Sequence, residues 1–348
     1  MATAYLYDPI YLEHKQAGHV ESPDRLEQIN RALDQTEMRQ RLFSIAPQPI
    51  SLDRLARVHR AEYIQQVRSI AGRGGGGLMG RGDETYVAPK SYEAALLAAG
   101  AVVTGVEAVL RGDVRNAFAL VRPPGHHAFS DHGEGFCLFN NVAVAAKTAR
   151  AEFNIERVMI VDFDVHHGNG TNAIFYGDPS VLYCSTHQWG IYPGTGHWQD
   201  VGTGQGVSYS VNVPMLPGWG DDAMLSVFDE LLAPIARRFR PQLILVSAGY
   251  DPHWSDRLGS MLMTDLGFFN LTKRLVNLAN ELCNGKLVLT LEGGYGLEGL
   301  AYGVVASFTA LLGDEEYIDP IGPPLRSALE IDWAYLDQLK LLHHIDSK

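Results

Sequence analysis

Four short apolar runs each end in residues that carry chemistry, and this arrangement limits the fold more than any other feature. Val158–Val161 leads into Asp162-Phe163-Asp164-Val165-His166-His167-Gly168-Asn169. Pro124-Gly125-His126-His127 follows the run Ala117–Val121, and Ser247-Ala248-Gly249-Tyr250-Asp251 continues Leu243–Val246. Glu292-Gly293-Gly294-Tyr295 follows Leu287–Leu291. Runs of this length, often β-branched, read as buried parallel strands, and Val181–Cys184 and Tyr209–Val213 read the same way. Open parallel sheets bind ligands outside the carboxyl ends of their strands. The four motifs therefore point to one pocket.

Helical patterns at Ser91–Leu110, Asn141–Glu152, Asp221–Arg238, Thr264–Leu282 and Leu297–Leu312 lie between several of these runs. Thr264 reads as an N-cap and Gly285 as a stop. Alternation of this kind predicts an α/β fold with a central, mostly parallel sheet and helices on both faces. No linker splits the motifs, so residues 1–348 are expected to form a single domain. Residues 314–348 form a C-terminal extension, with a helical pattern at Trp333–Leu342 packed on the body. Arg73–Gly82 holds six glycines in ten residues. It reads as a flexible connection or as a rim loop over the pocket.

A net charge of −12 and a pI near 5.5 argue against a broad basic surface for nucleic acid or anionic membrane. No run reaches the roughly 18 uncharged apolar residues of a transmembrane helix. Cys137, Cys184 and Cys283 are odd in number with no CxxC pair, which fits neither a disulfide framework nor a zinc knot. A soluble chain in the reducing cytoplasm is the expectation.

Asp164, His166 and Asp251 would give a metal two carboxylate oxygens and one imidazole nitrogen, leaving a place for water as a catalytic zinc requires. Ferrous iron also suits so oxygen-rich a set. A lone aspartate after a strand is usually a cap and a lone histidine a satisfied polar group, but several at several strand ends are not. Neutral His127 or His126 can take a proton from an activated water near neutral pH. Asp162 and Asn169 are the available partners to fix a tautomer. Tyr295, presented by two glycines, can donate its phenol to a developing oxyanion.

Together these residues resemble the zinc-dependent histone deacetylase family, within the arginase and deacetylase fold. Arg122–Ala128 (RPPGHHA), Gly135–Asn141 (GFCLFNN), Asp162–Gly170 (DFDVHHGNG), Tyr192–Gly196 (YPGTG), Ser247–Asp251 and Glu292–Tyr295 carry the resemblance in family order. It implies zinc on Asp164, His166 and Asp251. His127 is then the general base, oriented by Asn169. His126 is its electrostatic neighbour on Asp162, and Tyr295 polarises the amide. Asparagine at 169 is similar to the class II branch. The resemblance also implies an acyl-lysine tunnel of Gly135, Phe136, Tyr192 and Gly294, with Leu258 at its rim and Asp83 gripping the substrate backbone. Structural potassium would lie on Asp162, Asp164, His166, Ser185 and Thr186, and again on Phe175, Asp178, Val181 and Tyr209.

The reaction implied is removal of acetyl or similar acyl groups from acetylated lysine or a like amine. An acetylpolyamine amidohydrolase is the nearest alternative, although Leu258 offers no rim charge for a distant ammonium. A non-catalytic acetyl-lysine binding protein is the alternative of another class. A binuclear arginase-type site is disfavoured, because Gly168 and His253 stand where its extra aspartates would be.

Overall fold

In the computed structural model, which describes residues 2–78 and 85–345, ten strands follow in chain order. They are β1 (Thr3–Leu6), β2 (Phe43–Ile45), β3 (Gly76–Gly77), β4 (Tyr86–Val87), β5 (Asn116–Ala119), β6 (Val158–Asp162), β7 (Val181–Gln188), β8 (Ser210–Met215), β9 (Leu243–Ala248) and β10 (Leu287–Leu291). Eight of them form one sheet in the order β2-β1-β5-β10-β9-β6-β7-β8. Every pairing in it is parallel. β3 and β4 make a separate antiparallel hairpin from part of the glycine-rich stretch.

The sheet's central strands are buried throughout, as continuous Val, Ile and Leu runs require. Helices α1 (Asp24–Gln35), α2 (Met38–Arg41), α3 (Leu52–Leu55), α4 (Ala61–Gly72), α5 (Ser91–Arg111) and α6 (Asn141–Glu152) occupy the first half. α7 (Asn169–Phe175), α8 (Asp221–Val227), α9 (Ala233–Phe239), α10 (Asp265–Cys283), α11 (Leu297–Leu312) and α12 (Trp333–Leu342) follow. A π-helical turn, Phe228–Leu232, joins α8 to α9. α5 is long and apolar enough to cross a membrane, yet 72% of its apolar window is taken up by the core. The Thr264 side chain caps α10 by accepting from the Gly267 N–H at 3.1 Å. Asn284 and Gly285 both stand at positive φ where the chain leaves that helix.

Order in the sheet matters more than strand count. β5, β10, β9 and β6 are four adjacent central strands, and the four chemical motifs are the loops leaving their carboxyl ends. β5 and β6 follow one another in sequence but are separated by β9 and β10, which gives the switch in strand order where α/β sheets bind ligands. β1 and β2 extend the sheet beyond the strands expected from apolar runs. The run at Val181 also continues through Ser185–Gln188, which are polar but buried.

A buried ion network ties the N-terminal segment to this end of the sheet. Glu21 accepts from both Arg25 and Arg122, and all three are fully buried. Arg122 also donates to the carbonyls of Tyr11 and His14 at 2.7 and 2.8 Å. Arg25 donates to those of Glu292 and Gly294 at 2.5 and 2.7 Å. Removing one partner of such a network leaves a buried charge unpaired. Arg122→Met is therefore expected to lower unfolding stability by about 3–5 kcal/mol in urea titration, whereas an exposed pair such as Arg237–Glu281 changes it by less than about 1 kcal/mol when cut.

Candidate active site

Asp164 and His166 leave β6 two residues apart, and Asp251 leaves β9 beside it. Their ligand atoms lie within 4.8 Å of one another. His166 Nδ1 is 3.0 Å from Asp164 Oδ1 and 3.1 Å from Asp251 Oδ2. Backbone N–H groups aim the carboxylates: Gly293 donates to Asp164 Oδ2 at 2.7 Å, His166 to Asp164 Oδ1 at 2.9 Å, and Val165 to Asp251 Oδ1 at 2.8 Å. Asp251 Oδ2 is buried and receives no hydrogen bond; its short approach to His166 lacks the geometry of one.

Two buried carboxylates this close need positive charge. Burial pushes Asp251 up, the neighbouring Asp164 adds to that, and the carboxyl is raised to about 7. Burial pulls His166 down, but the hydrogen bond to Asp164 and the charges of Asp164 and Asp251 push it up to about 10. A proton thus sits where a divalent cation would. Two oxygens, one imidazole and an orphaned carboxylate atom fit a small hard-to-borderline ion. Gly249 and Gly293 make the cluster possible, since a methyl group on either would overlap the Asp164 carboxylate.

The turn at 123–127 is fixed by Glu292, whose Oε2 accepts the N–H groups of Gly125 and His126 at 2.6 and 3.1 Å. His126 Nδ1 lies 3.1 Å from Asp162 Oδ2, which also accepts from the Tyr183 hydroxyl. Burial opposes charge on His126, yet Asp164 and Asp162 raise it to about 10. His127 moves the other way: burial and the charges of His126 and His166 hold it well below its ordinary value.

His127 Nδ1 is 2.8 Å from Asn169 Oδ1, and the Asn169 amide donates to Glu134 Oε1 at 2.5 Å. Because that amide nitrogen is committed to Glu134, its oxygen faces His127 and must accept. The proton therefore sits on Nδ1, leaving the Nε2 lone pair free. Tyr295 is held through its N–H and that of Gly296, both donating to Asp256 Oδ2 at 2.6 and 2.7 Å. The Arg25 guanidinium lies 4.9 Å from its ring centre. Burial raises the phenol well above its ordinary range, so it remains a donor.

These groups surround a cavity of about 260 Å³ whose walls include Phe136, Ile191, Tyr192 and Leu258. Gly135 lines it too, at positive φ and against the His127 ring. Gly294 does not, contrary to expectation. Gly293 faces the cavity, while Gly294 turns its carbonyl to Arg25. Asp83 lies outside the described residues. Glu134, Asp256 and Arg25 carry no motif of their own, and only the fold reveals them.

Residues 19–311 match the histone deacetylase domain. The chain belongs to that family. It is 37% identical to a probable deacetylase of Archaeoglobus fulgidus, over 99% of this chain and 96% of that protein. It is 38% identical to a histone deacetylase-like amidohydrolase of Pseudomonas aeruginosa, over 90% and 82%. A human polyamine deacetylase is 40% identical over 89% of this chain and 47% of its own. The crystal structure of the HDA15 HD domain superposes with a TM-score of 0.87 at 36% identity, covering 99% of this chain and 94% of that one. The chain is thus a deacetylase, an amidohydrolase of this family.

Two outcomes test the geometry. Gly293→Ala is expected to fold but to bind divalent metal roughly 10–100-fold more weakly, the range for lost support around ligands, measured by equilibration with buffered zinc. Asn169→Asp places a carboxylate on His127 Nδ1 and stabilises the imidazolium. The acid limb of the pH profile of kcat/KM should therefore move to higher pH, read on an acetylated peptide.

Proposed function

We propose that the enzyme hydrolyses the acetyl amide of lysine side chains in peptides or proteins, with a divalent ion, zinc first, on Asp164, His166 and Asp251. The observation that carries this reading is the shape of the cavity. Aromatic and aliphatic walls lead a slender chain past Phe136 and Tyr192 to a floor of His126, His127, His166 and Tyr295.

A zinc ion there would supply an activated water nucleophile and Lewis acidity at the acetyl carbonyl. His127 then takes a proton at Nε2 and later returns it to the lysine nitrogen, while Asn169 holds its tautomer. His126, kept charged by Asp162, stabilises negative charge beside it. Tyr295 donates its hydroxyl to the carbonyl oxygen as charge builds there. Phe136 and Tyr192 exclude water from the alkyl stem.

Lysine is favoured over a polyamine because no carboxylate lines the cavity among the described residues. A free polyamine carries distal ammonium groups that would lack a counter-charge at Leu258. Potassium beneath the site belongs to this proposal. The His187 Nε2–H donates to the Gly196 carbonyl, so His187 Nδ1 accepts from Ser185 and leaves that oxygen's lone pairs free. A second ion would rest on the carbonyls of Phe175, Asp178, Val181 and Tyr209. Three buried free thiols support a reducing, cytoplasmic setting.

Tyr295→Phe should lower kcat about 10²–10³-fold, as loss of one oxyanion donor does, with KM and zinc content little changed. Acetate release from acetyl-lysine peptides and from N-acetylputrescine, compared by kcat/KM on zinc-loaded protein, decides the substrate. A preference for the polyamine would overturn the lysine assignment.

A further inference from the structure

A second cavity of about 260 Å³ has walls that include Trp189, His197, Trp198, Asp332 and Tyr335. Its aromatic walls come from two sources: the segment after β7, and the first turn of α12 in the C-terminal extension. Trp189 is 41% exposed, so its indole is open to solvent. The Trp189 and His197 rings stand 5.6 Å apart at 72°, and those of His197 and Trp198 5.8 Å apart at 32°. A small cation in the cavity would lie against the ring surfaces that line it, within the range of cation–π attraction, about 6 Å.

Among the described residues no lysine or arginine lines this cavity, and Asp332 is the one acid in its wall. Asp332 Oδ1 already accepts the Tyr335 N–H at 3.1 Å as the cap of α12. A lone carboxylate beside one imidazole is a sparse ligand set for a metal, so recognition falls to the rings. The Tyr335 hydroxyl, on the same wall, is buried without a hydrogen-bond partner. Ring faces, one carboxylate oxygen and a net charge of −12 suit a weakly hydrated alkylated ammonium. They do not suit a phosphate.

Trp189 is three residues from Tyr192 in the tunnel wall, a reach of at most about 11 Å along the chain. We propose that this aromatic cavity binds a methylated or otherwise alkylated ammonium carried on the same substrate whose acetyl-lysine enters the tunnel. The role as a substrate subsite rests on the deacetylase reading; the ligand chemistry of the cavity does not.

The test compares two acetyl-lysine peptides that differ at one position a few residues away, one bearing trimethyl-lysine and the other a neutral tert-butyl isostere. KM for the ammonium peptide should be about two- to fivefold lower at equal kcat, the size of an exposed cation–π contact. Asp332→Asn and Tyr335→Leu should shrink that ratio. Equal KM values for the two peptides would overturn the proposal. Tryptophan fluorescence titration, independent of turnover, separates this failure from failure of the deacetylase reading. If neither peptide releases acetate, saturable quenching by the ammonium peptide and not by its isostere upholds the ligand chemistry. Quenching by free tetramethylammonium with no KM difference would overturn the link to the substrate.

Discussion

Two carboxylates buried within reach of one imidazole set the terms for the rest of the molecule. Neither Asp164 nor Asp251 has any exposure to solvent, and charges taken out of water are tolerated only when paired and hydrogen-bonded. Three backbone N–H groups meet part of that demand. The unpartnered Asp251 Oδ2 shows the part they leave. A metal ion held by these residues would answer it, so the same feature that would destabilise an empty core would become a source of metal affinity.

Holding such a cluster requires close backbone approach from several directions, and the strand order supplies it. β5, β10, β9 and β6 deliver four loops to one edge of a rigid sheet. Glycines at 249 and 293 let two of them press directly on the Asp164 carboxylate. Glu292 ties the tandem-histidine turn to β10, Asp256 ties the Tyr295 turn to the loop after β9, and Arg25 ties it to α1. Each loop is thus fixed by a neighbour as well as by bonds of its own. Sites built this way keep their geometry because moving one loop breaks contacts with the next.

How much of this was legible in the sequence depended on whether a residue announced itself locally. Central strands were visible because both faces are buried and their apolar runs are continuous. β7 looked shorter than it is, since Ser185, Thr186, His187 and Gln188 are polar yet lie in the interior. β2 was invisible for the opposite reason, as an edge strand of three residues that is mostly exposed. The metal cluster and the tandem histidines could be assembled from motif and strand end alone. Glu134, Arg25 and Asp256 could not, because they act from distant chain positions by bonding to another residue's amide or carbonyl. Gly293 and Gly294 are interchangeable on paper. Only the direction of the second carbonyl, toward Arg25, shows which one faces the cavity.

Adjacent histidines ordinarily titrate alike, yet here the fold drives them apart. The ring centres of His126 and His127 are only 4.0 Å apart. His126 sits against Asp162 and near Asp164, whose charges outweigh its burial, and it keeps a proton. His127 faces Asn169, an amide with no charge to offer, and the carboxylate of Glu134 is set one residue further back. Charge on His126 then opposes charge on His127, so the protonation of one enforces the neutrality of the other. An acidic residue at 169 would draw His127 toward its charged form, against its burial and the charge on His126. Burial and the charge on His126, beside an uncharged amide at 169, thus give two neighbouring, chemically identical side chains opposite protonation states.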